Sequence, residues 1–193
     1  FMKIGITLTS SLSIGQEYIN LTRIVAEILA KNNFSIIYGG TDYGMMGELA
    51  EAYKAAGGKE LIGIMSKELQ GVTKNYKTYS KLDVAIWEDR IIERIGKIND
   101  LADGFIILPG GYGTLEEMTS IVSGKANKLH NKPIVILDFN GYYKTFISFM
   151  DEMHEKNFSK INVKELVHIC ESVDDIVDYF KSYKEVPLPD KFV

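Results

Sequence analysis

The fold is decided by one stretch of sequence, Gly104-Phe105-Ile106-Ile107-Leu108-Pro109-Gly110-Gly111-Tyr112-Gly113-Thr114. Its first half is uninterrupted and apolar, which is typical of a strand buried on both faces of a parallel sheet. Its second half is a glycine-rich turn that opens into a helical pattern over residues 115–123. A buried strand, a glycine turn and a helix in this order predict an α/β fold.

The same alternation of strand and helix extends along the chain on both sides of this stretch. Strands are predicted at residues 3–9, 35–38, 61–65, 104–108, 133–137 and 166–170. Helices are predicted at 45–56, 86–101, 142–156 and 173–183 among others, and residues 66–82 are predicted to be polar and irregular. We therefore expect a Rossmann-like, doubly wound parallel sheet with helices on both faces. A single domain is predicted over residues 2–185, followed by an irregular tail at 186–193.

The composition argues against several classes of partner. The 193 residues carry a net charge of −4, so a basic surface that follows nucleic acid is not expected. The apolar runs are far shorter than the roughly 20 residues that a membrane helix needs, so no membrane partner is expected. The single cysteine, Cys170, excludes a disulfide framework and fits the reducing cytoplasm, where we expect the protein to reside.

Ligands of doubly wound sheets bind beyond the carboxyl ends of the strands, where three loops are expected to meet. These loops are residues 9–11, 39–44 and 109–114. The third predicts a phosphate site, because its glycines let the backbone approach a ligand and the following helix presents free N–H groups to an anion. It is not a Walker loop, and the first strand lacks the G-x-G-x-x-G of a dinucleotide site, which disfavours a dehydrogenase.

Charged side chains close to this loop have two interpretations. Thr114 and Glu117 have the spacing of a capping box, in which the Glu117 carboxylate would accept from the Thr114 N–H and stabilise only the helix start. Beside a bound sugar phosphate, however, a carboxylate can stabilise positive charge on a ribose that is losing its base. Arg94 lies on a charged pattern at residues 90–97 that is typical of a solvated helix face, yet it borders the apolar stripe and can reach over the sheet.

The glycine loop resembles the signature of a known family. Residues Pro109-Gly110-Gly111-Tyr112-Gly113-Thr114-Leu115-Glu116-Glu117 are similar to the P-G-G-x-G-T-x-x-E of the LOG ("lonely guy") family. Members of this family are cytokinin riboside 5′-monophosphate phosphoribohydrolases and are often labelled lysine decarboxylases. The resemblance covers roughly residues 3–181, and no lysine context for pyridoxal phosphate is evident in the sequence.

Three further segments carry the resemblance. They are Ser10-Ser11, similar to the family's G-S-S loop, Tyr38-Gly39-Gly40 with Gly44-Met45-Met46-Gly47, similar to its second glycine loop, and Glu93-Arg94, similar to its E-R-K. The sequence departs from the family at Thr9 and Thr41, where glycine is usual, and at Ile95, where lysine is usual.

The resemblance implies that Arg94 and Glu117 are the catalytic pair and that the loop from Gly110 to Thr114 holds a 5′-phosphate. The substrate-binding residues that it implies are Ser10, Ser11, Gly39, Gly40, Met46, Glu93, Gly110, Gly111, Gly113, Thr114 and Glu116. It also implies at least a homodimer. Ile91, Ile92, Ile95 and Ile98 of the predicted helix 86–101 form an apolar surface wider than one sheet contact needs, so we expect this helix near the interface.

The predicted activity is hydrolysis of the N-glycosidic bond of a purine nucleoside 5′-monophosphate, AMP or an N6-substituted AMP. Glu117 is expected to stabilise an oxocarbenium-like ribose and to position or activate water. Arg94 is expected to orient the nucleotide and to offset charge on the departing base. Glu116 is expected either to bind the ribose or to support a residue that contacts the substrate. We expect no metal and no organic cofactor to be required. The alternative is a non-catalytic nucleotide or cofactor carrier on the same fold, in which Ile95 marks lost catalysis.

Overall fold

The computed structural model describes residues 2–11 and 13–189 of the chain. The strands are β1 (Lys3–Thr7), β2 (Ser35–Tyr38), β3 (Leu61–Ser66), β4 (Val84–Glu88), β5 (Gly104–Ile107), β6 (Ile134–Leu137) and β7 (His168–Cys170). The helices are α1 (Gln16–Lys31), α2 (Gly44–Ala55), α3 (Lys67–Val72), α4 (Ile91–Leu101), α5 (Tyr112–Ala126), α6 (Lys144–Glu155), α7 (Val163–Leu166) and α8 (Ile176–Ser182). None of these helices is both long and apolar enough to cross a membrane.

The seven strands form one parallel sheet whose order reverses direction between β1 and β5. The order is β4-β3-β2-β1-β5-β6-β7, so the chain builds outward from β1 to β4 and then returns to the other side of β1. Thr7 and Ile107 are register partners at the carboxyl ends of β1 and β5. In open α/β sheets, ligands bind in the crevice at such a reversal. The predicted Rossmann-like sheet is confirmed, and its topology places the loops after β1 and β5 side by side.

Helices cover both faces of the sheet, because successive strand residues point into two different apolar cores. Ile36 packs into the first core with residues of α1, α2 and α8, such as Val25 and Leu49. The next residue, Ile37, packs into the second core with residues of α4, α5, α6 and α7, such as Met118. Both isoleucines are completely buried. The chain is therefore wound on both faces, as predicted.

The sheet has one strand more than the six predicted. The prediction of a helix over residues 86–101 is wrong in its first part, where β4 pairs with β3 and α4 begins only at Ile91. β4 is a partly exposed strand at the edge of the sheet. Its residues 84–87 form an apolar run of the kind that predicts a strand, and the helix prediction extended into this run. The sequence does carry a mark of the true boundary, because the Glu93 carboxylate accepts a 3.0 Å hydrogen bond from the Arg90 N–H at the start of α4.

Three smaller differences concern short elements. The segment 66–82, predicted to be irregular, contains α3, whose start is capped by the Ser66 hydroxyl accepting from the Leu69 N–H at 3.3 Å. The predicted strand 166–170 is shortened to β7 because α7 occupies its beginning, and α8 begins at Ile176 rather than at 173. Residues 183–189 form no regular element, and residues 190–193 of the predicted tail lie outside the described residues.

Candidate functional site

A cavity of about 340 Å³, here called the Arg–Glu cavity, lies beyond the carboxyl ends of β1 and β5. The loop after β1, the first turns of α4 and α5, and residues of α2 and α3 form its walls. Its lining residues are Leu8, Thr9, Ser10, Met46, Leu69, Ile91, Arg94, Ile95, Gly111, Tyr112, Gly113, Thr114, Glu116 and Glu117. The predicted meeting of loops 9–11 and 109–114 is therefore confirmed, whereas the loop 39–44 contributes no lining residue.

Arg94 and Glu117 form an ion pair that is almost completely removed from solvent. The Arg94 Nη1 donates to Glu117 Oε1 at 2.8 Å, and the two side chains are 7% and 8% exposed. The Arg94 Nε donates to the carbonyl oxygen of Ile64 at the end of β3, also at 2.8 Å. Arg94 thus reaches over the sheet as the second interpretation predicted, and the interpretation of a solvated side chain is wrong for this residue.

The second glycine loop makes room for Arg94. A Cβ at Gly39 would lie 2.5 Å from the Arg94 Nη2, so a larger residue would displace the guanidinium. Gly40 has a φ of 78°, and a Cβ there would collide with the thioether of Met65. Neither glycine lines the Arg–Glu cavity. Gly39 thus lies against the guanidinium of Arg94, and Gly40 lies against Met65. The predicted contact of these two glycines with substrate stays a prediction.

The capping-box interpretation of Thr114 and Glu117 is wrong. Helix α5 begins at Tyr112 with Gly111 as its N-cap, so Thr114 already lies inside the first turn. The Glu117 carboxylate points to Arg94 rather than back to the Thr114 N–H. The helix starts earlier because β5 ends at Ile107 and the glycines complete the turn within a few residues. The carboxylate is therefore free for a role in the cavity.

Burial controls the electrostatics of Glu117. Desolvation raises the pKa of its carboxyl above the usual 4.5, and the nearby Glu116 acts in the same direction. The charge and the hydrogen bond of Arg94 oppose this shift and favour the ionised form. A carboxyl group in such a balance can carry negative charge toward a developing cation and can also accept a proton from water.

The glycine loop presents backbone to the cavity. A Cβ at Gly111 or Gly113 would meet no atom within 4 Å, so this face of the turn is open to a ligand. A Cβ at Gly110 would collide with the side chain of Thr114. Glycine is therefore required at position 110 for packing within the turn rather than for access by a ligand. The first N–H groups of α5 have no acceptor within the helix, and the helix dipole adds partial positive charge at this end. The loop therefore has the features of an anion site.

The remaining predicted residues are divided between the cavity and its surroundings. Ser10 and Met46 line the Arg–Glu cavity, and Glu116 lines it with an exposed side chain. Ser11 lines a neighbouring cavity instead. Glu93 lines neither cavity, because it is exposed and its carboxylate caps α4.

The three departures from the LOG pattern all lie in or beside the cavity. Ile95, which stands where lysine is usual, is 2% exposed and lines the cavity. Thr9 lines it as well, and its hydroxyl accepts from the Ser11 N–H at 3.1 Å. The Thr41 hydroxyl lies 3.3 Å from the thioether of Met46, one of the lining side chains.

Aromatic residues that follow β6 were missed by the sequence analysis. Tyr142 lines the neighbouring cavity of about 300 Å³ with Tyr18, Met45 and the Pro109–Gly111 turn. The hydroxyl of Tyr142 donates to the carbonyl of Gly110 at 2.8 Å, and that of Tyr143 donates to the carbonyl of Leu108 at 2.7 Å. The rule that ligands bind beyond strand ends, applied to the segment after β6, is the signal that could have found them.

One cluster in the described part of the chain has three side chains of the types that bind metal ions. Ligand atoms of His168, Cys170 and Asp175 lie within 4.8 Å of one another, on β7 and before α8. Two of these residues already form a hydrogen bond with each other, because the His168 Nε2 lies 2.8 Å from the Asp175 carboxylate. Burial raises the pKa of the Cys170 thiol to about 12, which keeps it protonated. None of the three lines the Arg–Glu cavity.

Comparison with solved structures supports the fold. The molybdenum cofactor binding protein of Rippkaea orientalis superposes with a TM-score of 0.69 and 19% identity, over 94% of this chain and 96% of that one. The molybdenum cofactor carrier protein of Chlamydomonas reinhardtii has the same TM-score with 18% identity, over 93% of this chain and 96% of that one. At such low identity these structures share the fold with this protein and establish nothing further.

Comparison of sequences identifies the family. A family model described as "Possible lysine decarboxylase" matches residues 46–180. Cytokinin riboside 5′-monophosphate phosphoribohydrolase LOG5 of Arabidopsis thaliana is 30% identical over 162 residues, 84% of this chain and 69% of that protein. The LOG4 protein of the same plant is 29% identical over 155 residues, 80% of this chain and 70% of that protein. The signature loop, the buried arginine–glutamate pair and these matches together show that the chain belongs to the LOG family.

Proposed function

We propose that the protein hydrolyses the N-glycosidic bond of a purine nucleoside 5′-monophosphate, either AMP or an N6-substituted AMP. Water is added as the C1′–N bond breaks and a C1′–O bond forms, and the base leaves with a proton, which yields free base and ribose 5-phosphate. The observation that carries this proposal is the buried Arg94–Glu117 pair, which lines the same cavity as the open N-terminus of α5. Relatives named as phosphoribohydrolases support it.

The start of α5 binds the 5′-phosphate in this proposal. The unpaired N–H groups and the dipole of the helix end favour a dianionic group, and the bare faces of Gly111 and Gly113 let its oxygens reach the backbone. Thr114, also in the lining, adds a hydroxyl on the same side. With the phosphate held there, the ribose extends toward the ion pair within the same cavity.

Glu117 acts on the anomeric carbon. Breaking the glycosidic bond develops positive charge on the ribose, and a buried carboxylate stabilises such charge more strongly than an exposed one. Arg94 occupies only the Oε1 of Glu117. The Oε2 has no hydrogen-bond partner among the described residues, so it is the oxygen that positions the attacking water. The raised pKa of the carboxyl also makes it a better base toward that water.

Arg94 acts on the leaving base and on the position of its partner. Its guanidinium is fixed by the carbonyl of Ile64 and by Glu117, in the space that Gly39 leaves. A fixed cation beside the cavity offsets the negative charge that develops on a departing base. Such preorganisation avoids a reorganisation cost at the moment of reaction.

The label of lysine decarboxylase has no support in the lining of the site. Decarboxylation of an amino acid with pyridoxal phosphate uses a lysine amine that forms a Schiff base. Among the described residues, the lining of the Arg–Glu cavity includes no lysine, and Ile95 stands where the family usually has one. The chemistry available there is that of a carboxylate and a guanidinium.

A carrier without catalytic activity is the competing proposal. It is suggested by Ile95 and by the similar fold of two proteins whose names describe binding or carriage of the molybdenum cofactor. A carrier would bind its ligand without producing ribose 5-phosphate, whereas the hydrolase releases it together with the base. The buried ion pair favours the hydrolase, because two buried charges are costly to maintain in a site that only binds.

We also propose a homodimer, with a smaller interface than the sequence predicted. Ile95 and Ile98 are each 2% exposed and belong to the interior of the chain, so they are not available to a partner. Ile92 on α4 and Val72 on the adjacent α3 are 53% and 78% exposed, and they remain as apolar surface for one. Sedimentation at micromolar concentration is expected to give twice the mass of one chain. A species of single-chain mass would contradict the dimer.

The 5′-phosphate is expected to be essential for turnover. AMP should release adenine much faster than adenosine does, because the N–H groups at the start of α5 have no other ligand to bind in this proposal. Chromatography of adenine together with an assay for ribose 5-phosphate measures both products. Equal rates for AMP and adenosine would contradict the phosphate site, and binding of AMP with no release of base would favour the carrier.

The substitution Glu117→Gln is expected to lower kcat by a factor of about one hundred to one thousand, equivalent to about 3–4 kcal/mol of transition-state stabilisation. The amide oxygen of glutamine can still accept from Arg94, so the melting temperature should change little. Glu48→Gln is the matched control, because Glu48 pairs with Arg23 at 2.7 Å on the surface, outside the cavity. Wild-type kcat in Glu117→Gln would show that Glu117 is structural.

A further inference from the structure

Two consecutive tyrosines hydrogen-bond to the glycine turn, and neither of them lines the Arg–Glu cavity. Tyr142 and Tyr143 follow β6, and their rings pack edge to face with centroids 5.0 Å apart. Each hydroxyl donates to one carbonyl of the turn, that of Tyr142 to Gly110 and that of Tyr143 to Leu108. The two bonds have similar lengths, 2.8 Å and 2.7 Å, but they act on different peptide groups.

The bond from Tyr142 sets the direction of one N–H group. The carbonyl of Gly110 belongs to the same peptide group as the N–H of Gly111, and in a trans peptide these two groups point in opposite directions. The described part of the chain has no cis peptide bonds. Gly110 and Tyr142 line the neighbouring cavity, whereas Gly111 lines both cavities. With its carbonyl held toward Tyr142, this peptide directs the Gly111 N–H away from Tyr142, at a residue that also lines the Arg–Glu cavity.

Little else restrains this peptide group. It joins two glycines, the residues with the greatest backbone freedom, and the position of a Gly111 Cβ has no neighbour within 4 Å. Gly111 is the N-cap of α5, and no side chain caps it. Its N–H lies before the first turn and has no acceptor within the helix. The side chain of Thr114 packs against Gly110, and the phenol of Tyr142 supplies a hydrogen bond that fixes the direction of the carbonyl.

We propose that Tyr142 is a positioning residue for phosphate recognition, which holds the Gly111 N–H toward the 5′-phosphate of the substrate before it binds. This inference rests on the proposed function, and it adds a residue outside the signature loop. A donor oriented in advance binds an anion without the entropy cost of ordering the peptide. The same bond leaves the reacting end of the nucleotide untouched, because Tyr142 does not line the Arg–Glu cavity.

Tyr143 provides an internal control. The carbonyl that it holds, that of Leu108, shares its peptide group with Pro109, which has no N–H to direct. Loss of this buried hydroxyl leaves a carbonyl without its partner and lowers stability. The hydroxyl also interacts with the Gly110 N–H, but Gly110 lines the neighbouring cavity and not the Arg–Glu cavity. Both tyrosines can be changed to phenylalanine, which retains the rings and removes only the hydroxyls.

The experiment compares Tyr142→Phe and Tyr143→Phe with the wild-type chain, using AMP and adenosine as substrates. Tyr142→Phe is expected to raise KM for AMP about fivefold, the effect of one hydrogen bond, with kcat within about twofold. Its kcat/KM for adenosine should equal that of wild type, because adenosine has no phosphate. Tyr143→Phe should lower the melting temperature and leave KM for AMP within about twofold.

An equal rise in KM for the two variants, an unchanged KM in Tyr142→Phe, or an equal loss on adenosine would overturn the inference. Calorimetry with ribose 5-phosphate separates this failure from failure of the proposed function. If wild type releases no base from AMP but binds ribose 5-phosphate about fivefold more tightly than Tyr142→Phe does, the positioning role stands and the hydrolase proposal falls. Equal affinity of wild type and Tyr142→Phe for ribose 5-phosphate would overturn the positioning role. If wild type neither releases base from AMP nor binds ribose 5-phosphate, both proposals fall.

Discussion

Arg94 and Glu117 form an ion pair in which both charged groups are buried, and neighbouring residues of the site hold the pair in place. Removing two charges from water has a desolvation cost that their attraction often fails to offset, so a buried pair is weak evidence for stability. The pair persists because its geometry is constrained from several sides. The carbonyl of Ile64 accepts a second hydrogen bond from the arginine, and Gly39 leaves the space in which the guanidinium lies. Because a buried ion pair adds little to the free energy of unfolding, these contacts fit a role of the pair in the proposed reaction better than a role in stability.

The parallel sheet explains why this pair and the proposed phosphate site share one cavity. Helices that follow parallel strands begin at the carboxyl edge of the sheet, so α4 after β4 and α5 after β5 both start there. Arg94 lies in the first turns of α4, and Glu117 lies in the second turn of α5. The N–H groups at the start of α5 occupy the same edge. Strand β4, which the sequence analysis missed, is therefore the element that brings Arg94 to the site.

Much of the fold was predictable because buried strands and glycine turns leave strong local patterns, as in residues 104–114. The resemblance to the LOG family, rather than these patterns, implied Arg94 and Glu117 as the catalytic pair. At β4 the local signal was present in the apolar run at residues 84–87, and the helix prediction passed over it. At Thr114 the local pattern itself failed, because a capping-box spacing exists without the cap. The role of Gly39 depends on a side chain 55 positions away, and the hydroxyl of Tyr142 reaches a carbonyl 32 positions away. Such contacts have no period in the sequence and become visible only in three dimensions.

The most direct test of the central claim is a double-mutant cycle on kcat/KM for AMP, with Arg94→Ala, Glu117→Gln and the double variant. If the two side chains act as one unit, the double variant should lose little more than the more damaging single substitution, within about tenfold. The melting temperature of each variant identifies losses caused by unfolding. Losses in kcat/KM that multiply in the double variant would show two independent residues and would contradict the account of a single buried catalytic pair.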